Sequence, residues 1–199
     1  MWNMTDNKIK LMGVLVCEGG YLSILEILYK ETPSINEHNE VFMAVACEHG
    51  HLDIIKYLIR LTTKGVDLTG STNEYVARAC RLGNLAIVQY LIESGCNPAN
   101  LDELAIRVAS AGNHPGVVRY LLSKGVSKSA LTIPLQRASV NGHLAVVKLL
   151  LDHGANPCAD GGHAIKLAKK NGCTSVVDHY AQLGYRYMHK YNYNCNADR

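Results

Sequence analysis

The chain has 199 residues, 48% of them apolar and 19% charged, with a formal net charge of +3 and a mean hydropathy of −0.02. That balance excludes an intrinsically disordered chain and a membrane-embedded one, and so small a positive excess does not by itself point to a phosphate backbone. With 11 Tyr but 1 Phe and 1 Trp, the core has to be built mainly from Leu, Ile, Val and Ala, the side chains of close helix packing.

The polar segment 1–7 is followed by an apolar run at residues 11–16, which Gly13 interrupts and Cys17-Glu18 ends. The run is shorter than the apolar region of a signal peptide, about 7–15 residues, and far short of the roughly 18 of a membrane helix. An intracellular, cytoplasmic protein is therefore expected.

From here the chain repeats itself, the sign of an array in which each unit buries its apolar face on the next. Paired aliphatic residues recur at Ile24-Leu25, Ile54-Ile55, Ile87-Val88, Val117-Val118, Val146-Val147 and Val176-Val177, at intervals of 30, 33, 30, 29 and 30 residues. Eight residues before each pair stand Val16, Ala46, Ala79, Ala109, Ala138 and Ala168; four before it stand Gly20, Gly50, Gly83, Asn113, Gly142 and Gly172. Asn is the residue that, after Gly, best tolerates left-handed backbone, so the position demands a turn.

Each unit then reads as helix, tight turn, helix. In the second unit Ala46 follows Phe42 by one turn, marking a short first helix, and Leu52, Ile55, Leu58 and Ile59 give the second its apolar stripe. Three extra residues within 60–64 predict that this second helix runs about a turn longer than its sisters. Most second helices stop at a Gly: Gly65, Gly95, Gly125, Gly154 and Gly184, with Lys64, Lys124 or His153 before three of them, where a cation suits the helix C-terminus. Pro115 opens the second helix of the fourth unit, where its missing N–H costs nothing. Loops rich in turn formers follow, such as Asn97-Pro98-Ala99-Asn100 and residues 156–162.

The predicted architecture is an all-α solenoid of six stacked helix-turn-helix repeats, at about 8–37, 38–70, 71–100, 101–129, 130–159 and 160–185, between an N-terminal segment 1–7 and a Tyr- and base-rich tail 186–199. The last unit has a polar second helix, with Asp178, His179 and Gln182, as an end cap should. The first stays apolar through Leu22, Ile24, Leu25, Ile27 and Leu28, so Trp2 and Met4 are expected to fold over it and keep the chain monomeric.

Seven cysteines, no two closer than 15 residues, exclude every CxxC pair and are expected as free thiols. Cys17, Cys47 and Cys80 share one register position with Ser110, Ser139 and Lys169, and read as a packing ladder. Cys96 and Cys158 fall in loops, where oxidation has no support. His49-Gly50-His51 lacks further ligands at a recognisable spacing for zinc. His51, His114 and His143 instead share the residue after the turn, where an imidazole can hydrogen-bond across it. No phosphate loop, GxSxG, HExxH or Cys/His signature is present. No enzyme activity, cofactor, metal or small-molecule substrate is expected.

The strings Gly50-His51-Leu52-Asp53-Ile54-Ile55-Lys56-Tyr57-Leu58-Ile59 and, over residues 142–156, Gly-His-Leu-Ala-Val-Val-Lys-Leu-Leu-Leu-Asp-His-Gly-Ala-Asn resemble the ankyrin repeat, and Ile133-Pro134-Leu135-Gln136-Arg137-Ala138-Ser139 resembles its opening helix motif. The units run to about 30 residues and mostly lack the family's Thr-Pro-Leu-His start, a shorter form that resembles the ankyrin arrays of large DNA viruses of amoebae. The shortening leaves open whether a projecting hairpin or only a shorter loop joins successive units.

The resemblance implies a non-enzymatic scaffold that binds a protein partner through the loop tips and the last turn of each first helix. By position that turn is Glu18-Gly19, Glu48-His49, Arg81-Leu82, Ala111-Gly112, Val140-Asn141 and Lys170-Asn171, and the surface should grade from acidic to basic. Residues 1–100 hold 8 Lys/Arg against 11 Asp/Glu, net −3, and residues 101–199 hold 12 against 6, net +6. Two alternatives go with it. One is a substrate adaptor for a ubiquitin ligase, recruited through the repeats themselves because only 186–199 follow them. The other is a nucleic-acid-binding module using the basic half, with residues 185–193 interleaving Tyr and bases; nucleic acid is not the expected partner. If the chain is viral, the compartment is the host cytoplasm.

Overall fold

A computed structural model describes residues 6–61, 72–95 and 103–185. Within them the chain forms twelve α-helices and no strand. They fall into two compact units, Met1–Asn97 and Pro98–Arg199, each holding three helix pairs.

The first unit contains α1 (Asp6–Gly19) with α2 (Leu22–Glu31), α3 (Asn39–His49) with α4 (Leu52–Leu61), and α5 (Thr72–Leu82) with α6 (Leu85–Glu93). The second contains α7 (Leu104–Ala111) with α8 (Pro115–Ser123), α9 (Thr132–Val140) with α10 (Leu144–Asp152), and α11 (Ala159–Lys170) with α12 (Thr174–Gln182). The first helices stack in order, α1 on α3 on α5 in one unit and α7 on α9 on α11 in the other. In the second unit the second helices do the same, α8 on α10 on α12. This is an all-α helical repeat solenoid.

The small-residue ladder explains how closely the first helices approach. Ala46, Ala79, Ala109, Ala138 and Ala168 are all fully buried, as are Cys17, Cys47, Cys80, Ser110 and Ser139 beside them. Larger side chains there would hold neighbouring helices apart, since interaxial distance follows the side chains at the contact. Burial pushes the Cys17 and Cys80 thiols up to about 12, so they stay protonated and inert. Cys17, Cys47, Cys80 and Cys173 are free, whereas Cys158 is disulfide-bonded, a departure from the expectation of free thiols throughout. Cys158 lies half-buried in the loop before α11, away from the ladder that keeps the others apart.

Every predicted turn has the backbone its residue was chosen for. φ is +74° at Gly20, +86° at Gly50, +77° at Gly83, +60° at Asn113, +74° at Gly142 and +69° at Gly172. The left-handed residue turns the chain so that the next N–H points back at the helix just ended, the capping arrangement that satisfies its last carbonyls. His51 N donates to Ala46 O at 3.0 Å, His114 N to Ala109 O at 3.1 Å, His143 N to Ala138 O at 2.9 Å and Cys173 N to Ala168 O at 2.9 Å. The ladder residue thus serves twice, as spacer and as hydrogen-bond anchor.

The described connections between units are short. Pro33–His38 forms a 3-10 turn that buries Ile35, and Lys128–Leu131 another that buries Ala130 and Leu131. No projecting hairpin stands at either place, because the shortened repeat leaves too few residues for two strands. Inside the first turn of α11 the chain is kinked: Asp160, Gly161 and Gly162 are all left-handed, and Asp160 accepts a 2.8 Å hydrogen bond from Gln136 Nε2. The expected extra turn of the second unit's helix lies at 62–64, outside the described residues, as do Trp2, Met4, Cys96 and the tail 186–199; α4 is described to Leu61.

Candidate partner-binding surface

The last turns of the first helices carry the residues that the sequence assigns to partner binding. In the first unit His49, Arg81 and Leu82 are exposed and Glu48 is half-buried. In the second, Asn141 and Lys170 are exposed, and Ala111 and Val140 half-buried. All eight sit at helix C-termini, where carbonyls without intrahelical partners must find donors, and this requirement sorts them into two kinds.

In the first unit the turn is held by ion pairs. Glu48 accepts from Arg81 Nη2 at 2.7 Å through Oε1 and from Arg78 Nη1 at 2.8 Å through Oε2; Arg78 Nη2 in turn reaches Glu74 Oε1 at 2.7 Å. Glu74, Arg78, Glu48 and Arg81 form one chain of alternating charge across α3 and α5. The Glu74 carboxylate, before any other group, holds the Arg78 guanidinium in its charged form. Single exposed pairs are worth only about 0.2–1 kcal/mol, but linked pairs fix side chains that would otherwise move independently. The expected acidic start of the gradient is therefore partly neutralised: Glu48 faces guanidinium groups of its own chain. Arg81 retains 55% of its side-chain exposure and Leu82 retains 42%, so the turn still presents a cation beside an apolar side chain.

Sequence reasoning missed Arg78 and Glu74. The signal was there in the register: Glu48 and Arg81 occupy equivalent positions in neighbouring repeats, so opposite charges at that position must meet once the helices stack.

In the second unit the turn is held by amide and imidazole hydrogen bonds to the preceding repeat. Asn141 Nδ2 donates to Ala111 O at 3.1 Å and His143 Nε2 to the same oxygen at 3.0 Å; Asn171 Nδ2 donates to Val140 O at 3.0 Å and the Cys173 thiol at 3.5 Å. His51 does the same in the first unit, onto Glu18 O at 3.0 Å. A carbonyl only accepts, so each ring carries its proton on Nε2. The histidine after the turn is expected to hydrogen-bond across the turn; in His51 and His143 the main-chain N–H bonds to the helix just ended, and the imidazole spans the turn to a carbonyl of the previous repeat. Asn141 is consequently a clamp as well as a surface residue, and Ala111 and Val140 contribute carbonyls already occupied from within the chain. Lys170 is exposed at the end of α11.

Among the described residues, no group of three His, Cys, Asp or Glu side chains is gathered as a metal site, and no helix is long and apolar enough to cross a membrane.

Comparison with known proteins bears on the same repeats. The family model described as ankyrin repeats (3 copies) matches residues 11–102, 76–161 and 104–190. An ankyrin repeat protein of Acanthamoeba polyphaga mimivirus is 39% identical over 56 residues, which is 27% of this chain and 9% of that relative. The chain thus spans a small fraction of the length of the curated relative it matches.

Proposed function

The chain belongs to the ankyrin-repeat family, whose repeats generally mediate protein–protein interaction and are typically non-enzymatic scaffolds, and from that premise we propose that this protein binds a protein partner through the last turns of its first helices and the loop tips beside them. The observation that carries the reading is the Arg81-Leu82 turn. It stands exposed on α5 while Glu48 fixes the guanidinium in place. A cation whose side chain is already ordered loses less entropy on docking than a free one, and an adjoining apolar side chain gives the contact area on which binding energy concentrates. Stacked positions are spent on the fold, which leaves these turns for a partner. The mimivirus relative suggests the interior of an infected host cell as the setting.

Affinity purification of the full chain from host cells, followed by mass spectrometry, tests this. We expect a recovered protein partner whose affinity falls about tenfold or more with Arg81→Gln or Leu82→Ser, the range of a binding hot spot, with unchanged helical circular dichroism. Recovery of no protein by the intact chain, or a complex indifferent to both substitutions, would refute it.

A further inference from the structure

The first helices of the second unit keep one side open. Helix α9 has α7 and α11 on its flanks and α10 behind it, so its free side is the one opposite α10. Exposed residues recur at helical spacing: Leu104 and Arg107 on α7, Ile133 and Arg137 on α9, Lys166 and Lys170 on α11. Three successive helices thus each present a cation near their middle, beside an apolar row formed by Leu104 and Ile133, which are 39% and 38% exposed. The acids of these helices lie at their starts: Glu103 precedes α7, and Asp160 sits in the first turn of α11, where Gln136 Nε2 donates to it. Among the described residues Arg107, Arg137 and Lys170 enter no ion pair. The first unit does the reverse, pairing Arg78 and Arg81 with Glu48 and Glu74. Like charges on neighbouring helices repel, so the fold gains nothing from this row.

We infer that this face receives an extended acidic segment of a protein partner, laid across α7, α9 and α11 with a carboxylate at every third residue. The inference rests on the protein-binding reading above and adds the chemistry of the partner, at a surface separate from the Arg81-Leu82 turn. Spacing supports it first. Packed helix axes lie about 8–10 Å apart, and an extended chain advances about 3.3 Å per residue, so every third side chain arrives at the next cation. Charge supports it next, because a guanidinium holds a carboxylate by two parallel N–H bonds, and Arg107 and Arg137 meet no carboxylate of their own chain among the described residues. The neighbouring side chains then separate a peptide from nucleic acid. Helices α7, α9 and α11 carry no Phe, Tyr or Trp, so a base finds no aromatic platform. Leu104 and Ile133 instead offer apolar contact to the residues between the carboxylates.

Fluorescence anisotropy with the full chain tests this, using a labelled peptide that carries three glutamates, one at every third position, with valine and serine between them. The comparison probes are an isomer with the three glutamates adjacent and an oligothymidylate of equal charge. The spaced peptide should bind several-fold more tightly than either. Arg107→Glu and Arg137→Glu should each weaken it about tenfold or more, the scale of a lost charge-assisted hydrogen bond, with helical circular dichroism retained. Lys148→Glu, at an exposed position on α10, removes as much net charge and should change binding little. Absence of binding by the spaced peptide overturns the inference, as does equal affinity for the isomer. Equal or tighter binding of the oligothymidylate overturns it in favour of nucleic acid. A loss with Lys148→Glu as large as with the two arginine reversals reports net charge alone, and indifference to both reversals in a folded chain places the peptide elsewhere; either result overturns it. These readouts need no natural partner, so their failure leaves the Arg81-Leu82 turn standing, whose own test is recovery of a protein from host cells.

Discussion

Gly13 and Phe42 show how one residue pair sets a helix spacing. Gly13 lies inside α1 and is buried, and a Cβ added there would clash with the Cζ edge of the Phe42 ring. By helix propensity alone, Gly13→Ala should stabilise by about 1 kcal/mol. Contact with the lone Phe of the chain reverses the sign: overpacking typically costs about 1–3 kcal/mol, and urea denaturation should show a net loss. The two buried serines make a second contrast. Ser139 Oγ is 2.6 Å from Leu135 O and 2.6 Å from the Tyr180 hydroxyl, whereas Ser110 Oγ has no hydrogen-bond partner. The Ser139 equivalent in the next repeat back is therefore a buried hydroxyl with nothing to bond, because Leu150 stands where the last repeat has Tyr180. Ser139→Ala should cost about 1–3 kcal/mol by stranding the tyrosine hydroxyl, while Ser110→Ala should be neutral or stabilising. Thermal unfolding of both variants separates them.

At the scale of elements, stability lies in the joints between helix pairs. The turns at Gly50, Gly142 and Gly172 bond through their main chain to their own first helix and through a side chain to the first helix of the repeat before. Removing one of the two donors to Ala111 O leaves that helix C-terminal carbonyl one partner short, with no intrahelical donor to replace it. We expect His143→Ala to destabilise by about 1 kcal/mol, and Asn141→Ala by a similar amount. Amide exchange should speed up most at the ends of α7 and α9, with the first unit little changed, since repeat stability is a sum of local and nearest-neighbour terms. The same residues belong to the proposed binding surface. A loss of partner binding in Asn141→Ala thus has to be separated from loosening of the joint, which the exchange data do.

For the molecule as a whole, charge is the property that the two halves do not share. The first hundred residues carry net −3 and the rest net +6. The first unit further consumes charge internally through Glu74, Arg78, Glu48 and Arg81, while Lys170 at the equivalent turn of the last repeat is exposed. Interactions between exposed charges weaken with ionic strength, and complementary charge acts mostly on the rate of encounter. Association with the partner should therefore slow as salt is raised, with dissociation changing much less, as surface plasmon resonance at low and high salt would record.

Much of this was written in the sequence. The period of 29–33 residues, the Ala ladder and the left-handed turns at Gly and Asn follow from local rules: a backbone conformation that few residues tolerate, and a helix face that only small side chains can share. Asn113 illustrates it: standing where the other repeats have Gly, it marks a left-handed turn, and its φ is +60°. Beyond the Glu48–Arg81 pair, whose shared register the sequence shows, partners across repeats were decided by tertiary structure. That Glu48 also meets Arg78, that His143 and Asn141 converge on one carbonyl, and that Ser139 finds Tyr180 while Ser110 finds nothing all depend on the offset between stacked helices. A periodic sequence says which positions are equivalent. The distance and rotation between neighbouring helices, set by how Ala, Cys and Ser pack at the seam, determine which of them touch.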